Sequence, residues 1–142
     1  MSEKSIFEMI INRDIPANIL YEDDDVIAFL DAFPVAKGHT LVVPKVKVEN
    51  IYELSPESGA KVMEAISKVA RALRITYQPE GLNVLQNNGA FASQSVFHIH
   101  FHLIPRYKDE HDGFGFKWDE LPALTDDEKA KVAEEIKSNF DA

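Results

Sequence analysis

The sequence predicts an α+β fold: one antiparallel sheet of five strands with one long helix and short terminal helices. Three observations carry that expectation. Residues 96–104, Val-Phe-His-Ile-His-Phe-His-Leu-Ile, alternate apolar and polar side chains with the period of a strand. Apolar runs at 19–22 and 26–31 flank the acidic turn Asp23-Asp24-Asp25, the pattern of a hairpin. Val62, Ile66, Val69 and Leu73 recur at spacings of four, three and four, the buried stripe of an amphipathic helix.

The elements follow in chain order. Ser5 to Asn12 predicts a short helix with Ile6, Phe7, Met9 and Ile10 inward, stopped by Asp14-Ile15-Pro16. Ile19–Glu22 and Val26–Asp31 are the first two strands, and Phe33 to Gly38 a loop. His39–Pro44 is the third strand, with Pro44 at its end because proline has no N–H for the ladder. Ser55-Pro56 opens the long helix as N-cap and first helical residue. It runs to about Ile75, and Gln78-Pro79-Glu80-Gly81 ends it. Leu82–Gln86 is the fourth strand and Val96–Ile104 the fifth, joined by the polar loop 87–94. Thr125-x-x-Glu128 is a capping box that opens a last helix to about Asn139, with Val132 and Ile136 inward.

Length and composition bound the function. The 142 residues suit a single domain, with a core at about 6–115 and a C-terminal extension at 116–142. The chain has no cysteine, which removes disulfides, thiolate nucleophiles and Cys-based zinc sites. No signal peptide opens it and no apolar stretch approaches a membrane span, so a cytoplasmic protein without a membrane partner is expected. A net charge of −9 argues against binding a nucleic-acid polymer. A phosphorylated small molecule feels local donors instead, and Lys45, Lys47, Arg106 and the imidazoles are the candidates for a local positive field.

The chemistry gathers on His98, His100 and His102. Side chains two apart on a strand share a face, so the three histidines project from one side and Phe97, Ile99, Phe101 and Leu103 from the other. Same-face positions lie ~6.5–7 Å apart. Three such imidazoles hardly converge on one tetrahedral metal, which needs each nitrogen at about 2.0–2.1 Å. A metal site would have to recruit His39, His111 or a carboxylate. The pattern better suits a row in which one histidine reacts while its neighbours hold its tautomer and meet a polyanion. In the loop before them, Asn87, Ser93, Gln94 and Ser95 collect polar donors; such residues build phosphate cradles and equally ordinary turns.

The run His98-Ile99-His100-Phe101-His102-Leu103-Ile104 matches all seven positions of the His-φ-His-φ-His-φ-φ signature, φ being apolar. With Gln94-Ser95-Val96, Phe29-x-Asp31 and Gly38-His39-Thr40-Leu41-Val42-Val43-Pro44-Lys45, it resembles the histidine triad (HIT) family, closest to its bacterial Hint-like branch. The resemblance spans about Ile6 to Gly115. It implies a HIT-like fold and a nucleotide hydrolase or transferase that cleaves nucleoside 5′-phosphoramidates at the α-phosphate. Dinucleoside polyphosphates are the second substrate class. His100 would be the nucleophile, passing through a nucleotidyl-histidine intermediate. His102 and the loop N–H groups would stabilise the phosphate oxygens, His98 would support His100, and Ser95 or His102 would relay a proton. The resemblance places the α-phosphate at Asn87, Ser93, Gln94 and Ser95, the ribose at Asp31 beside Ala32, and the purine base among Ile6, Phe7, Ile10 and Phe29. His39 matches a supporting histidine just behind the triad, and a homodimer paired through the long helix and an edge strand is implied.

Two departures qualify the resemblance. Many bacterial relatives hold a structural zinc with Cys-x-x-Cys, a histidine after the Pro-Lys of strand three, and the first triad histidine. Those outer positions are Ser5, Glu8 and Lys47 here, so no zinc and no required cofactor are expected, and the first helix must be held by Phe7 and Ile10. Ser93 stands where relatives often have glycine, which strains the loop if that position needs a positive φ. Two competing classes remain: an AMP-like purine-nucleotide sensor with little turnover, and a histidine metal-binding protein. The segment Asp112-Gly113-Phe114-Gly115-Phe116-Lys117-Trp118 reads as packing aromatics, with a lid or partner-contacting hairpin as the alternative.

Overall fold

The structure is a computed structural model that describes residues 4–108 and 113–140. His111 and Asp112 lie outside the described residues. In chain order the elements are α1 (Ile6–Ile11), β1 (Ile19–Glu22), β2 (Val26–Leu30), β3 (Thr40–Pro44), α2 (Pro56–Tyr77), β4 (Gly81–Leu85), a 3-10 turn at Ala90–Ala92, β5 (Phe101–Arg106) and α3 (Asp126–Lys137). The five strands form one sheet in the order β1-β2-β3-β5-β4, antiparallel at every pairing. The α+β class with one antiparallel five-stranded sheet is as the sequence predicts.

Alternation along the central strands sends side chains to two separate layers. Val26, Ala28, Val42 and Leu103 face α2 and pack with its Val62, Ala65, Ile66, Val69 and Leu73. Burying side chains of this size contributes roughly 1.5–3 kcal/mol each, so this layer is the main anchor of the fold. On the opposite face Ile27, Phe29, Leu41 and Val43 pack with Phe7 and Ile10 of α1. That second layer is thinner, because a six-residue helix covers it. It leaves room for a cavity.

Helix ends follow their local chemistry. Ser5 caps α1 in a full capping box, its hydroxyl accepting from the Glu8 N–H while the Glu8 carboxylate accepts from the Ser5 N–H. Phe7 and Ile10 are buried and hold the helix, whereas Ile6 is 47% exposed and at the cavity rim. Helix α2 runs two residues past the expected stop, to Tyr77, and ends where Gln78 adopts φ 48°.

The fifth strand differs most from its prediction. It begins at Phe101, and Val96–His98 form a bend. The ladder between β3 and β5 stops at Val42–Phe101. Beyond it the chain diverges, and Ile99 N–H bonds the Val48 carbonyl at 2.8 Å. Phe97 consequently leaves the expected apolar face and is 49% exposed.

The C-terminal helix forms where its capping box predicts, Thr125 and Glu128 closing the box. Its packing does not. Val132 and Ile136, expected inward, are 43% and 58% exposed, and no residue of α3 is buried. The aromatics before it stack edge-to-face on one another, Phe114–Phe116 at 5.1 Å and Phe116–Trp118 at 6.0 Å. They do not enter the core.

Candidate active site

A cavity of about 400 Å3 opens between α1, the loop after it, β2 and the histidine segment. It brings together nine of the residues singled out from sequence: Ile6, Phe7, Ile10, Phe29, Asp31, Ala32, Ser95, His100 and His102. The register explains the convergence. His102 pairs with Leu41 and Leu41 with Phe29, so all three share the α1 side of the sheet. Phe7 then reaches across, its ring edge-on to His100 at 4.8 Å and to Phe29 at 5.6 Å. Apolar walls thus lie at one end and polar groups (Asp31, Ser95, His100, His102) at the other. A nucleoside phosphate has that same division.

The imidazoles form a row, as expected, but a buried one. His100 and His102 ring centroids lie 5.1 Å apart, and His98 is wholly buried. Hydrogen bonds assign each tautomer. His98 Nε2 donates to the Pro44 carbonyl at 2.7 Å, leaving Nδ1 a bare acceptor with no partner among the described residues. His100 Nδ1 donates to the His98 carbonyl at 2.8 Å, which leaves the Nε2 lone pair unused. His39 Nδ1 accepts from the Val35 N–H at 3.2 Å, so the proton of neutral His39 sits on Nε2. That N–H meets His102 Nδ1 at 2.9 Å and Asp31 Oδ2 at 3.4 Å. His102 must then carry its own proton on Nε2. The row therefore presents one lone pair, at His100, beside one N–H donor, at His102.

Burial keeps the row neutral. Desolvation lowers the pKa of His98, His100 and His39 below the ordinary imidazole value. At His102, desolvation and then the neighbouring His100 and His39 depress it to about 4. Asp31 opposes the shift at His39, His100 and His102 without reversing it.

Asp31, His39 and His102 have donor atoms within 4.8 Å of one another, close enough to invite a cation. The tautomer argues otherwise: with Nδ1 accepting the Val35 N–H, a metal on Nε2 would require an imidazolate.

Zinc at the family's structural position fares no better. Glu8 is already engaged by Ser5 and pairs with Lys47 at 3.4 Å, while both Glu8 and Lys47 act electrostatically on His98. An ammonium group, a hydroxyl and a committed carboxylate do not make a zinc ligand set with His98. The residues present do not fit the metal.

Other expected groups take different places. Asn87 and Ser93 sit on the loop after β4, outside the cavity lining, with Asn87 Nδ2 donating to the Ser93 carbonyl at 3.4 Å. Ser93 adopts φ 75°, the left-handed conformation in which a glycine would be unstrained. The Gln94 side chain is buried and committed: it accepts from the Gly89 N–H and donates to the Glu49 and Val96 carbonyls. It braces the loop. The cationic trio is spent elsewhere, Lys45 on Glu22, Lys47 on Glu8, and Arg106 on Asn83 and the Phe114 carbonyl. Among the described residues no lysine or arginine lines the cavity.

Sequence reasoning missed the wall made by Ile15, Pro16, Ala17 and Asn18 and the role of the Val35 N–H. Only Leu41 carried a readable signal, through its register with the histidine strand.

Comparison with known proteins adds an independent line. The HIT domain family model matches residues 12–109. The adenosine 5′-monophosphoramidase of Schizosaccharomyces pombe is 44% identical over 135 residues, which is 95% of this chain and 97% of that protein. A crystal structure of a HIT family protein from Bacillus subtilis superposes with a TM-score of 0.93 at 45% identity, covering 97% of this chain and 98% of that one. Another, from Bacillus anthracis, reaches 0.94 at 40% identity and covers 99% of both chains.

Proposed function

The chain belongs to the HIT family, and from that premise we propose that it hydrolyses nucleoside 5′-phosphoramidates, purine nucleotides of the AMP type in particular. The observation that carries the reading is the tautomer of His100. Its Nδ1–H is held by the His98 carbonyl at 2.8 Å, so an otherwise unengaged Nε2 lone pair belongs to a ring that lines the cavity with Asp31 and Ser95. A neutral imidazole with one oriented lone pair is the form a nucleophile requires.

The base lies among Ile6, Phe7, Ile10 and Phe29, and the ribose hydroxyls reach Asp31 beside Ala32. His100 Nε2 attacks the α-phosphorus in line and the phosphorus–nitrogen bond to the amine breaks. The His102 Nε2–H and loop N–H groups meet the non-bridging oxygens, where preorganised donors stabilise the charge that develops. Ser95 or His102 relays a proton to the departing amine. Water then cleaves the nucleotidyl-histidine. Overall one water is consumed: its hydroxyl ends on phosphorus and its hydrogen on the amine. The same path serves a phosphate leaving group, which keeps dinucleoside polyphosphates as the second substrate class. The S. pombe relative's phosphoramidase activity supports the choice of leaving group.

The reading includes a homodimer, paired through α2 and the open sheet edge at β4, and needs no metal. Replacement of His100 by alanine tests it. Turnover of adenosine phosphoramidate is expected to vanish while AMP still raises the melting temperature, since ligand binding to the folded state stabilises it. Surviving turnover would remove His100 from its role. Wild-type protein that binds AMP without turnover would leave the purine-nucleotide sensor in its place.

A further inference from the structure

Phe33 lines the active-site cavity, yet its ring is 86% exposed and the mechanism above does not use it. A single apolar side chain on a surface is ordinary, but this one is held in place. Its N–H donates to Asp31 Oδ1 at 2.8 Å, closing a turn against the polar end of the cavity. Pro34 follows it, which biases the Phe33 backbone to the extended region. The rest of the loop is pinned as well. The Asp31 N–H donates to the His39 carbonyl at 3.0 Å, the Val35 N–H to His39 Nδ1 at 3.2 Å, and the Tyr107 hydroxyl to the Lys37 carbonyl at 2.8 Å. An aromatic ring presented on so fixed a loop loses little freedom when a ligand covers it.

The direction of attack says what covers it. His100 is 6% exposed, so its ring belongs to the floor of the cavity and not to its rim. In-line displacement puts the leaving group on the side of phosphorus away from the attacking nitrogen. With the nucleophile at the floor, that side faces the opening, where the exposed Phe33 ring stands. The other parts of the nucleotide are already placed, the base among Ile6, Phe7, Ile10 and Phe29 and the ribose at Asp31. A leaving group made of further phosphates would meet no lysine or arginine among the described lining residues. An apolar ring would meet Phe33.

We propose that Phe33 determines specificity for the leaving group, and that the preferred substrates are nucleoside phosphoramidates whose amine carries an arylalkyl substituent. The proposal rests on the phosphoramidase reading above and deepens it by naming the leaving-group class. As the bond from His100 Nε2 to phosphorus forms and the phosphorus–nitrogen bond to the amine breaks, the amine nitrogen takes a proton. The free amine then departs with its substituent against the Phe33 ring.

Two adenosine phosphoramidates test it, one made with 2-phenylethylamine and one with methylamine. The quantity read is kcat/KM, which includes departure of the amine and excludes the later hydrolysis of the nucleotidyl-histidine that both substrates share. Comparing the phenylethylamine-to-methylamine ratio between proteins cancels the intrinsic difference between the amines. An aromatic pair adds a factor of roughly 2–12 beyond the area it buries, so Phe33→Ala is expected to lower that ratio by about 10-fold and Phe33→Trp to keep it. The ring is exposed, so both variants are expected to fold, with melting temperatures that still rise on adding AMP. An unchanged ratio in Phe33→Ala would overturn the proposal. Equal losses on both substrates would also overturn it, by placing the ring against the nucleoside. Wild-type protein that turns over neither compound would remove the phosphoramidase reading itself, and the leaving-group assignment with it.

Discussion

His39→Ala is the substitution whose consequence the geometry specifies most fully. His39 does not itself line the cavity, yet its Nε2–H is the group that makes His102, which does, keep a proton on the cavity side. Without it, His102 can turn its proton to Nδ1, toward Asp31, and present a lone pair to a phosphate oxygen. A donor becomes an acceptor. Losing one preorganised donor costs about 10²–10³ in kcat. His102 would still populate the correct tautomer part of the time, so a loss of roughly 10–100-fold in kcat is expected. KM should change little, because the apolar walls and Asp31 remain. Stability should fall by about 1 kcal/mol, since the partly buried Val35 N–H loses its acceptor. The assay is steady-state hydrolysis of adenosine phosphoramidate, with urea unfolding measured on the same preparation. A kcat within twofold of wild type, or a loss confined to KM, would refute the positioning role of His39.

Three further outcomes follow from the same structure. The histidine row is depressed on folding, His102 from 6.5 to about 4, so the unfolded chain binds more protons in that window. Stability should be full above pH 6.5 and decline as pH falls toward 4, with no loss on the alkaline side up to pH 8 from these groups; chemical unfolding across that range checks it. Ser93→Gly relieves a φ of 75° and should stabilise the protein by about 0.5–1 kcal/mol, after allowing for the extra freedom of glycine when unfolded. A destabilised variant would mean that the serine side chain contributes something the backbone angle does not reveal. Elemental analysis of purified protein should find zinc far below one per chain, and chelator should leave the melting temperature unchanged; stoichiometric zinc would contradict the ligand argument at Ser5, Glu8 and Lys47.

Much of this was legible in the chain because local rules governed it. The Thr125 capping box, Ser55-Pro56 and the α2 stripe each depend on residues within one or two turns, and each formed where expected. The start of β5 was not legible: period-two alternation continues through the Val96–His98 bend, and only the distant Val48 carbonyl distinguishes bend from strand. Side-chain partners far apart were likewise hidden. His39 and His102 lie 63 residues apart, and nothing local separates a lysine spent on Glu22 or Glu8 from one facing a phosphate. The apolar stripe of α3 was read correctly as a stripe and wrongly as inward, because spacing cannot say whose surface the stripe will cover.

Turnover by this route requires a phosphorus–nitrogen bond at one ring atom, Nε2 of His100. The most direct measurement is a single-turnover reaction with a nucleoside phosphoramidate labelled on the nucleotide, quenched under conditions that preserve phosphohistidine and mapped by mass spectrometry. A nucleotidyl group on the peptide bearing His100, absent when His100 is alanine, is the predicted result. Turnover with no adduct at any quench time, or an adduct on His98 or His102, would contradict it.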